Sequence, residues 1–325
     1  MKIIFYEKNA DIDAWLGGFR HELPGADVRV WEPGDTAPAD YAIVWRAPRE
    51  LFANRPDLKA VFNLGAGADA ILDVERKEPG TLPPNAKLVR LEDTGMAQQM
   101  VEYASYCVLR YMRRFDDYEA LQREGRWEKL PQHARAFTVG VLGLGVLGGE
   151  VAKGLLNLGV PVRGYSRSPK TIEGVQVYAG PEQFDAFLHG VKVLINLLPH
   201  TPDTEGILDA RVFGKLVHGA YLVNVARGPH LVDDDLLAAL DRGQIAAATL
   251  DVFRTEPLPQ DHPYWTHPHV SVTPHISAET LREESIVQIP DKIKALARGE
   301  PIGGIVDFTS ADTERQRIAD NKRQA

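Results

Sequence analysis

Short apolar runs recur along the first third of the chain, at Lys2–Tyr6, Asp27–Trp31, Tyr41–Trp45, Ala60–Leu64 and Lys87–Leu91. Helix-like or polar stretches separate them. Runs this short and this continuously apolar suit strands buried on both faces, so the rhythm predicts a parallel sheet covered on both sides. Asp93 or Thr94 is placed to cap a helix from about Met96 to Leu121 or Arg123, with Val101, Ala104, Val108, Tyr111 and Phe115 on one apolar face. Arg110, Arg113, Arg114, Asp116, Asp117 and Glu119 give that helix a solvated or ion-paired side, and Glu128–Ala136 reads as a surface loop. A second series of runs follows at Val139–Leu142, Val160–Tyr165, Val175–Tyr178, Val191–Leu198, Ala220–Val225, Ala246–Val252 and Val270–Thr273. Helical patterns fall between most of them, which predicts a second parallel sheet. A last helical stretch, Ala278–Arg298, contains Pro290, which should kink or split it. Thr309–Ala325 carries almost no apolar side chains and reads as a polar tail or an exposed helix.

Composition narrows the partners. A length of 325 residues suits two domains, and 44% hydrophobic with 25% charged residues is ordinary for a globular protein. The net charge of −8, without a long basic run, argues against nucleic acid and against an anionic membrane as partners. Cys107 is the single cysteine, so no internal disulfide can form, and its place in a helix-like apolar pattern gives it a packing role. No apolar run reaches the roughly 18 residues of a membrane span. The first residues enter a strand without the features of a signal peptide, so a cytoplasmic protein is expected. No metal site is expected.

The chemistry gathers at strand ends. Thr138–Gly149 reads T-V-G-V-L-G-L-G-V-L-G-G: an apolar run, then Gly143, Gly145 and Gly148 in G-x-G-x-x-G order, then a helical pattern opened by Val146 and Leu147. A strand, a tight glycine turn and a helix N-terminus together bind a dinucleotide pyrophosphate: backbone N–H groups face the phosphates, and missing Cβ atoms let them approach. The next strand ends Tyr165-Ser166-Arg167-Ser168-Pro169-Lys170. The acidic residue that would hold the ribose hydroxyls of NAD(H) is absent there. Ser166, Arg167 and Lys170 suit a 2′-phosphate, so NADP(H) is expected in preference to NAD(H). Later strands end at Asn196-Leu197-Leu198-Pro199-His200, Asn224-Val225-Ala226-Arg227-Gly228, Asp251-Val252-Phe253 and Thr273-Pro274-His275-Ile276-Ser277. Leu198, Pro199, Ala226 and Asp251 at these ends are assigned to the cofactor.

In the first sheet two ends stand out. Asn63-Leu64-Gly65-Ala66-Gly67 forms a nest of N–H groups suited to a carboxylate, with Leu64, Gly65, Ala66 and Gly67 as its members. Val44-Trp45-Arg46 places a large aromatic where the chain leaves the sheet; Trp45 is open to both a packing role and substrate contact. A reduction needs a proton donor that titrates near neutrality, which histidine supplies, and a carboxylate beside it favours the imidazolium. An arginine can bind a substrate carboxylate with two parallel hydrogen bonds. Spacing alone does not choose Arg227, Glu256 and His275 over other charged residues, nor His275 over His200, His262, His267 and His269.

The choice comes from a resemblance. V-L-G-L-G-V-L-G, N-V-A-R-G, L-D-V-F-x-x-E-P-L-P and T-P-H-I-S, in this order, resemble the D-isomer-specific 2-hydroxyacid dehydrogenase family from about Lys2 to about Asp307. Within it, L-I-N-L-L-P, R-R-F-D-D-Y, V-W-x-x-P and the Y-S-R-S strand end resemble the glyoxylate/hydroxypyruvate reductase A group. The resemblance implies catalytic Arg227, Glu256 and His275, a nicotinamide-carboxamide partner in Asp251, and carboxylate binding by the backbone of Leu64–Gly67. It also implies a homodimer built on the long connector helix. The fold it implies is α/β with two doubly wound parallel-sheet domains: a Rossmann NADP-binding domain over residues 97–285, inserted in a flavodoxin-like substrate domain of residues 1–96 and 286–308, with a polar tail at 309–325. Substrate is expected in a cleft between the domains. The expected reaction is NADPH-dependent reduction of glyoxylate to glycolate and of hydroxypyruvate to D-glycerate. A reductase of a bulkier 2-oxo acid and a non-catalytic dinucleotide-sensing protein are the alternatives.

Overall fold

A computed structural model describes residues 1–8, 10–131 and 137–308 of the chain. The chain divides into two compact units, Met1–Gly95 with the described residues from Thr280 onward, and Met96–Glu279. Every expected strand is present, its ends within two residues of the apolar run that announced it.

The first unit opens with β1 (Lys2–Tyr6), α1 (Ile12–Glu22), β2 (Asp27–Val30), β3 (Tyr41–Val44), β4 (Ala60–Asn63), α2 (Asp69–Lys77) and β5 (Lys87–Arg90). The Asp11 side chain caps α1 by accepting from the Ala14 N–H. Successive side chains of a strand point to opposite faces, so β1 sends Ile3 and Phe5 to one core and Ile4 to the other.

The second unit begins with α3 (Met96–Met112) and α4 (Phe115–Arg123). One helix was expected here. It is broken at Arg114, which adopts a left-handed conformation with φ 58°. The break brings Glu119 back to Arg110, whose guanidinium donates to both Glu119 oxygens at 2.8 and 2.7 Å and to Asp116 at 2.8 Å. On a continuous helix those nine positions would span about 13 Å, beyond the reach of the pair. Phe115, expected on the apolar face, is exposed for the same reason, while Ala104, Val108 and Tyr111 are buried. Nor does Thr94 act as the cap: its hydroxyl is buried and bonds no partner among the described residues.

There follow β6 (Thr138–Leu142), α5 (Val146–Asn157), β7 (Val162–Ser166), β8 (Gln176–Ala179), α6 (Phe184–Leu188), β9 (Val191–Asn196), α7 (Ala210–Lys215), β10 (Ala220–Asn224), α8 (Asp233–Asp241), β11 (Ile245–Leu250) and β12 (Val270–Val272). The strands order as β12-β11-β10-β9-β6-β7-β8, all parallel. Strand order therefore reverses between β6 and β9, where an open α/β sheet forms its binding crevice at the carboxyl ends. One face packs on α3 and α5 through Val139, Val141, Val193 and Val223; the other packs on α6, α7 and α8 through Leu142, Leu194 and Leu222. Cys107 lies in the first of these cores, and burial pushes its thiol up to about 12, which keeps it protonated and inert.

The chain then returns to the first unit through α9 (Arg282–Ala297) and β13 (Ile305–Val306). Pro290 lies inside α9 without splitting it. A proline removes one hydrogen bond of the ladder, and the neighbouring Ile289 and Ile293 are fully buried against the α1 face. The first sheet orders as β13-β5-β4-β3-β1-β2. Its pairs are parallel except β13 with β5, an antiparallel edge strand too short to register in the apolar pattern. Omitting β13, this is the flavodoxin-like order. Part of the expected loop at Glu128–Ala136, and all of the expected polar tail, lie outside the described residues. Among the described residues no helix is long and apolar enough to cross a membrane.

Phe187 is fully buried among Tyr165, Tyr178 and Phe184. Phe187→Ala is expected to destabilise the second unit by about 3–5 kcal/mol, the cost of emptying such a site. A shifted urea midpoint with unchanged slope would show it.

Candidate active site

The glycine turn is built from contacts that exclude side chains. Gly143 leaves β6 with φ 103°, and a Cβ there would meet the Leu197 carbonyl oxygen at 2.7 Å. A Cβ on Gly148 would stand 1.8 Å from the Gly143 carbonyl oxygen, so strand and helix could not come so close with any other residue. Gly145 is different: a Cβ there would meet nothing within 4 Å. It caps α5 at φ −70° and ψ −163°, an extended conformation open to any residue. Neither the fold nor the backbone demands a glycine at 145, which leaves the approach of a ligand as its physical rationale. Val146 is exposed beside it, and Leu147 packs against the core.

At the end of β7 the Ser166 hydroxyl donates to the Ser168 carbonyl at 2.7 Å and is buried. Its one proton is spent inside its own turn. Lys170 Nζ donates to the Leu144 carbonyl of the glycine turn at 2.5 Å, and Arg167 is exposed.

Beneath the other strand ends lies a polar network that spacing does not reveal. Asn196 Oδ1 accepts from the Leu198 N–H at 3.2 Å, and its Nδ2 donates to Asn224 Oδ1 at 3.0 Å and meets His230 Nδ1 at 2.9 Å. Asn224 Oδ1 also accepts from the Ala226 N–H at 3.3 Å, and its Nδ2 donates to the Arg227 carbonyl at 3.2 Å. Buried polar groups need partners, and here each amide ties two turns together. Pro199 is exposed next to Leu198. A Cβ on Gly228 would fall 1.8 Å from the Phe253 backbone, so the chain after Arg227 lies directly against the chain after β11. Arg227 Nη1 donates to the Ala226 carbonyl at 2.6 Å.

That second chain carries Glu256. Its Oε1 accepts from the Phe253 N–H at 3.1 Å, which fixes the carboxylate, and its Oε2 lies 2.9 Å from His275 Nδ1. A carboxylate that accepts at Nδ1 leaves Nε2 as the atom that exchanges a proton with a bound molecule. His275 is partly exposed and left-handed, with φ 57°. His262 and His267, by contrast, spend Nδ1 on the N–H groups of Tyr264 and His269. Asp251 follows directly on β11. It is fully buried, and its oxygens accept from Thr273 Oγ1 at 2.6 Å and from the Ile276 and Ser277 N–H groups at 2.8 Å. What this carboxylate grips is the loop that carries His275.

In the first unit the expected nest is smaller than its sequence suggested. The Leu64 N–H donates to the Val44 carbonyl and the Gly65 N–H to the Asn63 carbonyl, at 2.9 and 2.8 Å. Among the described residues the Ala66 and Gly67 N–H groups make no such bond, and only these two remain for an anion. Asn63 Nδ2 and Arg90 Nη1 hold the loop through the Gly67 and Ala66 carbonyls at 2.8 and 3.2 Å. The Trp45 ring lies on Gly65, where a Cβ would meet it at 2.6 Å, and packs partly into the core. Arg46, left-handed at φ 46°, lies with its guanidinium 5.7 Å from the centre of the same ring.

Residues 106–277 match the model of the D-isomer-specific 2-hydroxyacid dehydrogenase NAD-binding domain. The chain is 58% identical over 308 residues to a glyoxylate/hydroxypyruvate reductase A of Serratia proteamaculans, covering 94% of this chain and 98% of that one. A protein of the same description from Yersinia enterocolitica is 53% identical over the same shares. Among solved structures, a D-isomer-specific 2-hydroxyacid dehydrogenase from Xanthobacter autotrophicus Py2 in complex with NADPH and MES superposes with a TM-score of 0.89 at 39% identity, over 95% of this chain and 99% of that one. The NADPH-dependent glyoxylate/hydroxypyruvate reductase of Sinorhizobium meliloti, in complex with NADP and sulfate, superposes with a TM-score of 0.86 at 35% identity over the same shares.

The glycines make a paired test. Gly145→Ala is expected to leave the melting temperature within about 2 °C of the parent, because its methyl meets no protein atom, and to weaken dinucleotide binding at least roughly tenfold. Gly148→Ala should lower the melting temperature markedly. Calorimetry and a fluorescence titration with NADPH read the two effects separately, and equal NADPH affinity in Gly145→Ala would remove the ligand explanation for that glycine.

Proposed function

The chain belongs to the D-isomer-specific 2-hydroxyacid dehydrogenase family, and on that footing we propose that it reduces glyoxylate to glycolate and hydroxypyruvate to D-glycerate with NADPH. One observation carries the reading: Arg227 and the bonded pair Glu256–His275 stand at the carboxyl ends of β10, β11 and β12, in the same sheet whose β6 end carries the glycine turn. The names of the relatives point to the same substrates and the same cofactor.

The residues fit the cofactor. Gly145 leaves its cradle open, and the N-terminus of α5 presents N–H groups to a pyrophosphate. Arg167 and Lys170, in the turn after β7, are assigned to a 2′-phosphate, and residues 166–170 hold no carboxylate to repel it. Bound there, the reduced cofactor supplies the hydride to C2 of the 2-oxo acid.

The side chains do the rest. Arg227 binds the substrate carboxylate and polarises the adjacent carbonyl. His275 delivers a proton from Nε2 to the carbonyl oxygen as the reduction proceeds. Glu256 orients the imidazole through Nδ1. From the first unit, the Ala66 and Gly67 N–H groups are assigned to the carboxylate, and Trp45 to limiting the acid to short chains. A homodimer is part of this reading. Tyr106, Leu109, Phe115 and Tyr118 are exposed apolar side chains on α3 and α4, with Trp127 just beyond.

The direct test is NADPH and NADH oxidation over a panel of 2-oxo acids. Glyoxylate and hydroxypyruvate with NADPH should give the highest kcat/KM; turnover confined to branched or aromatic acids, or none at all, would defeat the proposal. Arg167→Ala is expected to weaken NADPH binding by roughly 10- to 100-fold, the worth of a charge-assisted hydrogen bond, and to leave NADH unaffected. An unchanged preference between the cofactors would clear Arg167 of that role. His275→Ala should lower kcat by roughly 10²–10⁴-fold with NADPH still bound. Near-parental turnover would take the imidazole out of the mechanism.

A further inference from the structure

The donors around the Asp251 carboxylate all come from one segment, residues 273–277, whose middle residue is His275. Thr273 has one hydroxyl proton, and it goes to Asp251 Oδ1. The Tyr103 hydroxyl lies 2.6 Å from Thr273 Oγ1 and must be the donor in that pair, since the threonine has no second proton to give. The hydrogen bonds therefore run one way, from Tyr103 to Thr273 to Asp251. Burial raises the Tyr103 phenol well above its usual range, so the donor keeps its proton through any working pH. Tyr103 stands on α3, 170 positions earlier in the chain than Thr273.

His275 needs such support. Its left-handed backbone, φ 57°, is a conformation that non-glycine residues hold only when their surroundings over-determine it. Its own N–H reaches only the Thr273 carbonyl at 3.1 Å, closing a three-residue turn around Pro274. Asp251 grips the chain on both sides of that turn, by the side chain of Thr273 before it and by the N–H groups of Ile276 and Ser277 after it. The ring is then held at one further point, by Glu256.

We propose that Tyr103 and Thr273 are positioning residues for the reduction, acting through Asp251 to hold the His275 imidazole in register with Glu256 and the substrate carbonyl. The proposal rests on His275 being the proton donor. Neither Tyr103 nor Thr273 touches the reacting atoms in this role, so their loss acts on kcat through geometry. A misplacement of about 1 Å at a catalytic group is enough for a hundredfold loss.

The test uses the full-length enzyme with NADPH and the best 2-oxo acid of the panel. Thr273→Val keeps the shape and removes the hydroxyl; Thr273→Ser restores it; Tyr103→Phe removes the outer donor; His275→Ala is the reference. Thr273→Val is expected to lose roughly 10- to 100-fold in kcat, with KM and NADPH affinity changed by no more than about threefold. Thr273→Ser should recover to within about threefold of the parent, and Tyr103→Phe should fall between the two. Parental kcat in both Thr273→Val and Tyr103→Phe overturns the proposal. So does a loss in Thr273→Val that extends equally to NADPH affinity or that Thr273→Ser fails to restore, because that pattern reports a damaged fold. If His275→Ala keeps parental turnover, the failure belongs instead to the reading of His275 as proton donor.

Discussion

The close approach of Gly148 to the Gly143 carbonyl sets the position of everything at the head of the second sheet. A methyl group at 148 would overlap that oxygen, at 1.8 Å, and push α5 away from β6. With the glycine in place, the helix starts one short turn after the strand ends, and its N-terminus faces the crevice between β6 and β9. Gly143 plays the matching part on the other side, where a Cβ would collide with the Leu197 carbonyl beyond β9. Two absent side chains thus bring the phosphate-binding turn and the next strand end together. The order of strands then supplies the chemistry, because β10, β11 and β12 follow β9 across the sheet and end in Arg227, Asp251 with Glu256, and His275.

Parallel strands also explain why this edge needs so many buried polar side chains. Each strand end turns into a loop whose N–H groups point into a crowded interior, and each must find an acceptor. Asn196, Asn224 and Asp251 are short enough to stay at the strand end and polar enough to serve. The same bonds that satisfy those backbones remove the freedom of the loops they hold. Rigid placement of Arg227 and His275 is therefore a by-product of satisfying the sheet's own hydrogen bonds.

The elements were legible because a strand buried on both faces has to be written as an unbroken apolar run, and the glycine turn because contacts at Gly143 and Gly148 forbid alternatives. The resemblance to a family picked out the catalytic set, which residue types alone did not. What stayed hidden depends on partners far apart in sequence. The break at Arg114 follows from the Arg110–Glu119 pair, which a single helical period conceals. The reduced nest at residues 64–67 follows from the Val44 carbonyl, which takes the Leu64 N–H across the sheet. The Tyr103–Thr273 bond joins α3 to the far edge of the same unit, and no local pattern marks either residue.

Asp251 shows how far residue chemistry can decide between side chains of one shape. Every group that meets its oxygens is a donor: one hydroxyl and two backbone N–H groups. An asparagine there would fill the same space and keep one acceptor, but its NH₂ would turn two protons toward a backbone N–H. Two buried donors would then face each other, at a cost of roughly 1–3 kcal/mol for each group left unpaired. The chain would escape by moving the 273–277 segment, and His275 lies at its centre. A carboxylate is the only side chain of this size that accepts with both of its heavy atoms. The demand for aspartate at this strand end therefore arises inside the protein, from the loop it holds, before any ligand is considered.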